Sequence, residues 1–134
     1  MENNIVTFID LFSGLGGIRI GFEQALAKRG LKGKCVFTSE IKSSAIKALN
    51  ENFPGENIKA TDITTIEKQD VPDFKVLLGG FPCQAFSSAG LQKGFADTRG
   101  TLFFDVQRVL SEHLKTVDGF ILENVEGLVT HDRA

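Results

Sequence analysis

Cys83 lies in the run Gly79-Gly80-Phe81-Pro82-Cys83-Gln84-Ala85-Phe86-Ser87, directly after the apolar stretch Phe74 to Leu78. A thiol in a Gly- and Pro-bearing loop at the end of an expected strand is reachable. It is a nucleophile where local charge or backbone donors favour its thiolate, whereas in an apolar core it would be inert packing. Groups that could act with it sit at other expected strand ends: Asp10 to Gly17, Glu40, Asp62 and Glu123-Asn124. Gly14 and Gly16 let backbone approach a ligand and take positive φ, and Glu40 is spaced from that turn to accept hydrogen bonds from ribose hydroxyls. Together they point to an adenosine-bearing cofactor, against the plainer reading of a glycine turn beside a solvated carboxylate. Arg19 stands where the dinucleotide fingerprint G-x-G-x-x-G needs its last glycine, which places a nicotinamide dehydrogenase last among the readings. S-adenosylmethionine has no phosphates and does not need that geometry. Its ribose would lie on Glu40, its adenine near Ile41 and Asp62, and its methionine end by Phe12 to Ile18.

A nucleophilic thiol, a sulfonium cofactor and a carboxylate at the next strand end fit methylation of carbon 5 of a pyrimidine. Addition of the thiolate at C6 makes an enamine able to attack a methyl sulfonium, and a carboxylic acid at N3 eases the addition. Cys83 and Glu123 supply those roles.

The elements that must position these groups alternate. Ile5 to Ile9 reads as a strand feeding the Ser13-Gly14-Leu15-Gly16-Gly17 turn, and Ile18, Gly21, Phe22, Ala25 and Leu26 mark one face of a helix. Cys35 to Thr38 is a second strand, and Ala45, Ile46, Leu49 and Phe53 a second helix with Ser43 or Ser44 as its cap. Ile58 to Ile63 is a short, weaker third strand and Phe74 to Leu78 a clearer fourth. Leu102, Phe103, Val106, Val109 and Leu110 form another helical stripe, and Val117 to Leu122 returns as a fifth strand. The expected fold is α/β, a doubly wound, mostly parallel Rossmann-like sheet ending after its fifth strand. Cys35 reads as core, His113 as a packed or capping residue, and no residue set has metal spacing.

The chain of 134 residues carries a net charge of −2, which is not the basic footprint of a domain that grips nucleic acid alone. Its two cysteines give no disulfide framework, and no apolar run approaches the ~20 residues that span a bilayer. A reducing cytoplasm is the expected compartment. The twelve Phe residues, with no Tyr and no Trp, have no functional account.

Three blocks, in order, resemble the DNA (cytosine-5)-methyltransferases of the bacterial modification type: Asp10 to Gly17, Gly80 to Ser87, and Glu123-Asn124-Val125. The resemblance implies the methyltransferase fold and a role in restriction-modification. It implies that Phe12, Gly14, Leu15, Gly16, Gly17, Ile18, Glu40, Ile41, Asp62, Ile63, Pro82 and Leu102 line the cofactor site. Cys83 would attack C6, Glu123 hold and protonate N3, and Asn124 support the surrounding loop. Gln84, Ser87, Lys93 and Arg99 would belong to a loop closing over a cytosine flipped from double-stranded DNA. In that family a Gln-x-Arg-x-Arg segment, a target-recognition region and a late cofactor segment follow. Residues 1–134 are therefore expected to be the N-terminal part of the catalytic domain, as a fragment or as one subunit of a split enzyme. The competing readings are a subunit that binds cofactor without catalysis and a tRNA cytosine methyltransferase. Phe81 and Ala85, where the tRNA type has prolines, favour DNA.

Overall fold

The computed structural model describes residues 2–81 and 102–124. Its elements run β1 (Ile5–Leu11), α1 (Gly17–Ala27), β2 (Lys32–Thr38), α2 (Ser43–Asn52), β3 (Val76–Gly79), α3 (Leu102–Glu112) and β4 (Gly119–Leu122). All strand pairs are parallel and the order is β2-β1-β3-β4. The chain therefore leaves β1 toward one edge and returns to its other side through β3. Between the carboxyl ends of β1 and β3 lies the point where such sheets leave a crevice for ligands.

Both faces of β1 are covered, as its alternation requires. Phe8 points to one face, where Phe22 of α1 meets it edge-on with ring centroids 5.1 Å apart. Ile9 and Leu11 point to the other, into a core shared with Leu77 of β3 and Val106 and Val109 of α3. The segment between α2 and β3 closes this core with Ile63, Ile66, Val71 and Phe74. These positions are nearly free of solvent contact, and their burial is the main force holding helix to sheet.

Two local expectations are corrected. Ile58 to Ile63 forms no strand; its only ladder contact is an isolated antiparallel bridge between Glu40 and Thr61, so the described sheet has four strands rather than five. Side chains have taken its backbone groups instead. Asn50 donates to the carbonyl of Ile58 at 2.8 Å and accepts its amide at 2.7 Å, and Asp62 accepts the amide of Thr64 at 2.9 Å in a turn of its own. The cap of α2 is Lys42, without a side-chain cap bond, and not Ser43 or Ser44. The carboxylate of Glu40 instead accepts the amides of Ile41 and Lys42 just ahead of that helix.

At the far edge, β4 pairs only with β3 among the described residues and leaves Phe120 and Ile121 exposed. No helix of the described residues is long and apolar enough to cross a membrane.

Candidate active site

The turn after β1 is built around one buried carboxylate. Asp10 is 1% exposed and accepts the hydroxyl of Ser13 at 2.5 Å. Burial, only partly offset by the Ser13 bond and the nearby Arg19 charge, pushes its carboxyl up to about 6. Ser39, at the end of β2, completes the arrangement. Its amide donates to Asp10 O, its carbonyl accepts Ser13 N, and its hydroxyl accepts the amide of Phe12 at 3.1 Å. Phe12 is thereby held at φ 54°, a left-handed conformation uncommon for a side chain of its size. Gly14 and Gly16 take the positive φ values expected of them, 57° and 85°. At Gly16 the requirement is also one of space, because a Cβ would lie 2.7 Å from the Phe53 ring.

Arg19 explains its own departure from the dinucleotide pattern. It is buried, forks onto both carboxylate oxygens of Glu56, bonds Glu23 at 3.2 Å and sits 3.6 Å from the centroid of the Phe53 ring. A residue so committed is scaffold.

The crevice beside this turn is a cavity of about 250 Å³ lined by Phe12, Ser39, Glu40, Ile41, Thr61, Asp62, Ile63, Gly80 and Leu102. The sequence had singled out Phe12, Glu40, Ile41, Asp62, Ile63 and Leu102, and they come together here from four separate stretches of chain. Gly14, Leu15, Gly16, Gly17 and Ile18 do not line the cavity; they make the adjoining turn and the start of α1. The Glu40 carboxylate accepts Gly14 N at 2.8 Å along with the Ile41 and Lys42 amides, so it ties the glycine turn to the end of β2. With about four acceptor positions on a carboxylate, one remains for a ligand hydroxyl. Asp62 is exposed, and the Thr64 amide and hydroxyl hold its carboxyl below the ordinary value. Apolar walls at Phe12, Ile41, Ile63 and Leu102 with acceptor carboxylates at Glu40 and Asp62 suit a flat base carrying an amino group and ribose hydroxyls.

The second half of the site joins this cavity at Gly80. A Cβ there would lie 3.0 Å from Ile18 Cδ1 and 3.4 Å from Glu123 Oε2, so the glycine lets the start of α1 and the carboxylate after β4 converge. Glu123 is placed by its amide, which donates to Gly79 O at 2.9 Å and extends the β3–β4 ladder by one rung. Asn124 donates to the carbonyl of Phe81 at 3.1 Å, one peptide before Pro82-Cys83. Phe81 is itself buried against Phe103 of α3. Pro82, Cys83, Gln84, Ser87, Lys93 and Arg99 lie outside the described residues. Among the described residues no group of three or more His, Cys, Asp or Glu could hold a metal ion.

The sequence reading missed Ser39, Thr61 and the buried role of Asp10. Ser39 and Thr61 carry no motif signal, although each neighbours a strand-end acid that was read.

The family described as C-5 cytosine-specific DNA methylase matches residues 6–134. The Type II methyltransferase M.NlaIV of Neisseria lactamica is 63% identical over 128 residues, which are 96% of this chain and 30% of that protein. M.NgoBV of Neisseria gonorrhoeae is 62% identical over the same shares of each chain. The chain thus spans about a third of the length of these relatives. Among solved structures, a mutant of Spodoptera frugiperda DNMT2 superposes with a TM-score of 0.71 at 26% identity, covering 95% of this chain and 38% of that one.

Proposed function

Because the chain belongs to the C-5 cytosine-specific DNA methylase family, we propose that it is the catalytic and cofactor-binding part of an enzyme that methylates carbon 5 of cytosine in double-stranded DNA, within a restriction-modification system. The observation that carries this reading is the junction at Gly80, where the Glu123 carboxylate adjoins the adenosine-suited cavity. When bound there, S-adenosylmethionine supplies an electrophilic methyl group.

The chain's own residues do the rest. Phe12, Ile41, Ile63 and Leu102 enclose the adenine, Asp62 accepts its amino group, and the remaining acceptor position of Glu40 takes a ribose hydroxyl. Gly14 to Ile18, with Pro82, border the methionine end. The Cys83 thiolate adds to C6 of the flipped base while Glu123 delivers a proton to N3, which leaves C5 electron-rich for methylation. Loss of the C5 proton to water, departure of the thiolate and return of the N3 proton to the Glu123 carboxylate then restore the C5–C6 double bond and the neutral base. Asn124, through Phe81 O, sets where the nucleophile loop begins. Gln84, Ser87, Lys93 and Arg99 hold the displaced base and its phosphates, and closing that loop offsets the few kcal/mol that flipping costs. Base recognition comes from further segments, in the same polypeptide or from a partner subunit carrying a Gln-x-Arg-x-Arg motif and a target-recognition region; the net charge of −2 agrees with a grip on DNA supplied largely elsewhere.

DNA containing 5-fluorocytosine tests the proposal, because fluorine at C5 blocks the final elimination. With cofactor and the complementary segments, a covalent protein–DNA adduct is expected, absent in Cys83→Ala. No adduct from the unsubstituted chain, or one that survives that substitution, overturns the reading.

A further inference from the structure

The cavity wall made by Asp62 and Ile63 belongs to neither a strand nor a helix, so something other than a ladder must hold it. From the inner end, Asn50 of α2 grips Ile58 through both its backbone groups. From the outer end the grip comes from α3. Arg108 donates from Nη2 to the carbonyl of Ile63 at 2.8 Å and from Nη1 to that of Ile66 at 3.1 Å. The guanidinium is oriented along its own helix by Asp105, 3.4 Å away, and by Glu112, 3.5 Å away. Arg108 does not line the cavity, yet it binds the carbonyl of a residue that does. Its helix also carries Leu102, on the cavity's other wall. A single side chain thus links two walls of one site, with two charge-assisted bonds to carbonyls three residues apart. The planar fork of arginine can make both; a lysine ammonium on one stem cannot match that spacing.

We propose that Arg108 is a positioning residue for the cofactor site, fixing the Asp62–Ile63 wall against α3 so that Asp62 meets the amino group of adenine. This rests on the cofactor reading given above. Through the wall it sets affinity for the adenosine part and the preference for adenine over a base that presents a carbonyl at the same place.

The test is calorimetric titration of S-adenosylhomocysteine and of its inosine counterpart into the full chain together with its complementary segments, for the unsubstituted protein, Arg108→Ala, Arg108→Lys, Asp62→Ala and the Arg108→Ala/Asp62→Ala pair. Arg108→Ala is expected to weaken S-adenosylhomocysteine binding about tenfold, within the usual range of coupled neighbours. It should also erase most of the preference over the inosine compound. The double substitution should weaken binding little beyond Asp62→Ala alone, since both act through one wall. Arg108→Lys should fall between, and it carries the test if the alanine form does not fold. Unchanged affinity and base preference in whichever form folds overturns the proposal, as do losses that simply add in the double substitution. An unsubstituted chain that, together with its complementary segments, binds neither compound overturns the cofactor reading itself, an outcome distinct from binding that ignores Arg108.

Discussion

The two halves of the candidate site are held by different means. The cofactor cavity is fixed by side chains that bond backbone: Glu40 to three amides, Ser39 to Phe12, Asp62 to Thr64, Arg108 to two carbonyls. Among the described residues, the catalytic corner is fixed by backbone that continues the sheet, with Glu123 on Gly79, and by the Asn124 side chain reaching across to Phe81 O. A cavity built the first way is shaped before ligand arrives but depends on many scattered residues. A corner built the second way inherits its position from strand register, so its functional side chain can change without moving the frame. The halves should therefore separate under mutation.

Glu123→Gln tests that separation with the largest effect. Glutamine keeps the shape and the amide bond to Gly79 but has no acid proton to give. Methyl transfer in the enzyme carrying this chain should fall by about 10²- to 10⁴-fold, the usual range for losing a general acid. Affinity for S-adenosylhomocysteine should stay within about twofold, since nothing that shapes the cavity is touched. A parallel loss of cofactor affinity would mean that the halves are one unit.

Asp10 sharpens the comparison from the cofactor side, through pH. Its folded value of about 6 lies above the ordinary 3.8, so the fold prefers its neutral form. The stability this gives is fully present below about pH 4 and is lost as pH rises through about 6, a change of at most ~3 kcal/mol. Asp10→Asn does not titrate. Urea unfolding of both forms between pH 4 and 7 should show the wild type losing stability relative to the variant across that window. A difference that stays flat with pH would show that the turn is not built on a desolvated carboxylate.

Much of this was legible in the sequence because it was local. The glycine turn, Gly80-Phe81 and the Glu-Asn pair each follow an apolar run, and the positions after those runs gather at one end of the sheet. The expected Ile58–Ile63 strand failed for a reason no period reveals, since Asn50 captures the backbone that a ladder would have used. Arg108 was equally invisible: its bond to Ile63 spans 45 residues, and on its own helix it reads as an ordinary solvated charge between Asp105 and Glu112. Ser39 is a lone polar residue after a strand, and only the folded chain shows that its hydroxyl accepts the amide of Phe12.

Ser39 provides the gentlest probe of the cofactor half. Its hydroxyl accepts an amide belonging to a residue at φ 54°, a conformation that costs a bulky side chain about 1–3 kcal/mol and persists only where its surroundings impose it. Ser39→Ala removes one acceptor and leaves Asp10 O and Ser13 N paired with the backbone of residue 39, so the turn is weakened without being released. The expected loss is about 1 kcal/mol of unfolding free energy, close to that of one buried hydrogen bond, with a few-fold drop in S-adenosylhomocysteine affinity as the Phe12 ring loosens. Ser39→Thr keeps an acceptor oxygen and should retain most of both if the added methyl group is accommodated. If Ser39→Ala instead matched Glu123→Gln in lost turnover while binding cofactor normally, Phe12 would be serving the reacting base and not the cofactor wall, and the boundary between the two halves would have to be redrawn through the turn after β1.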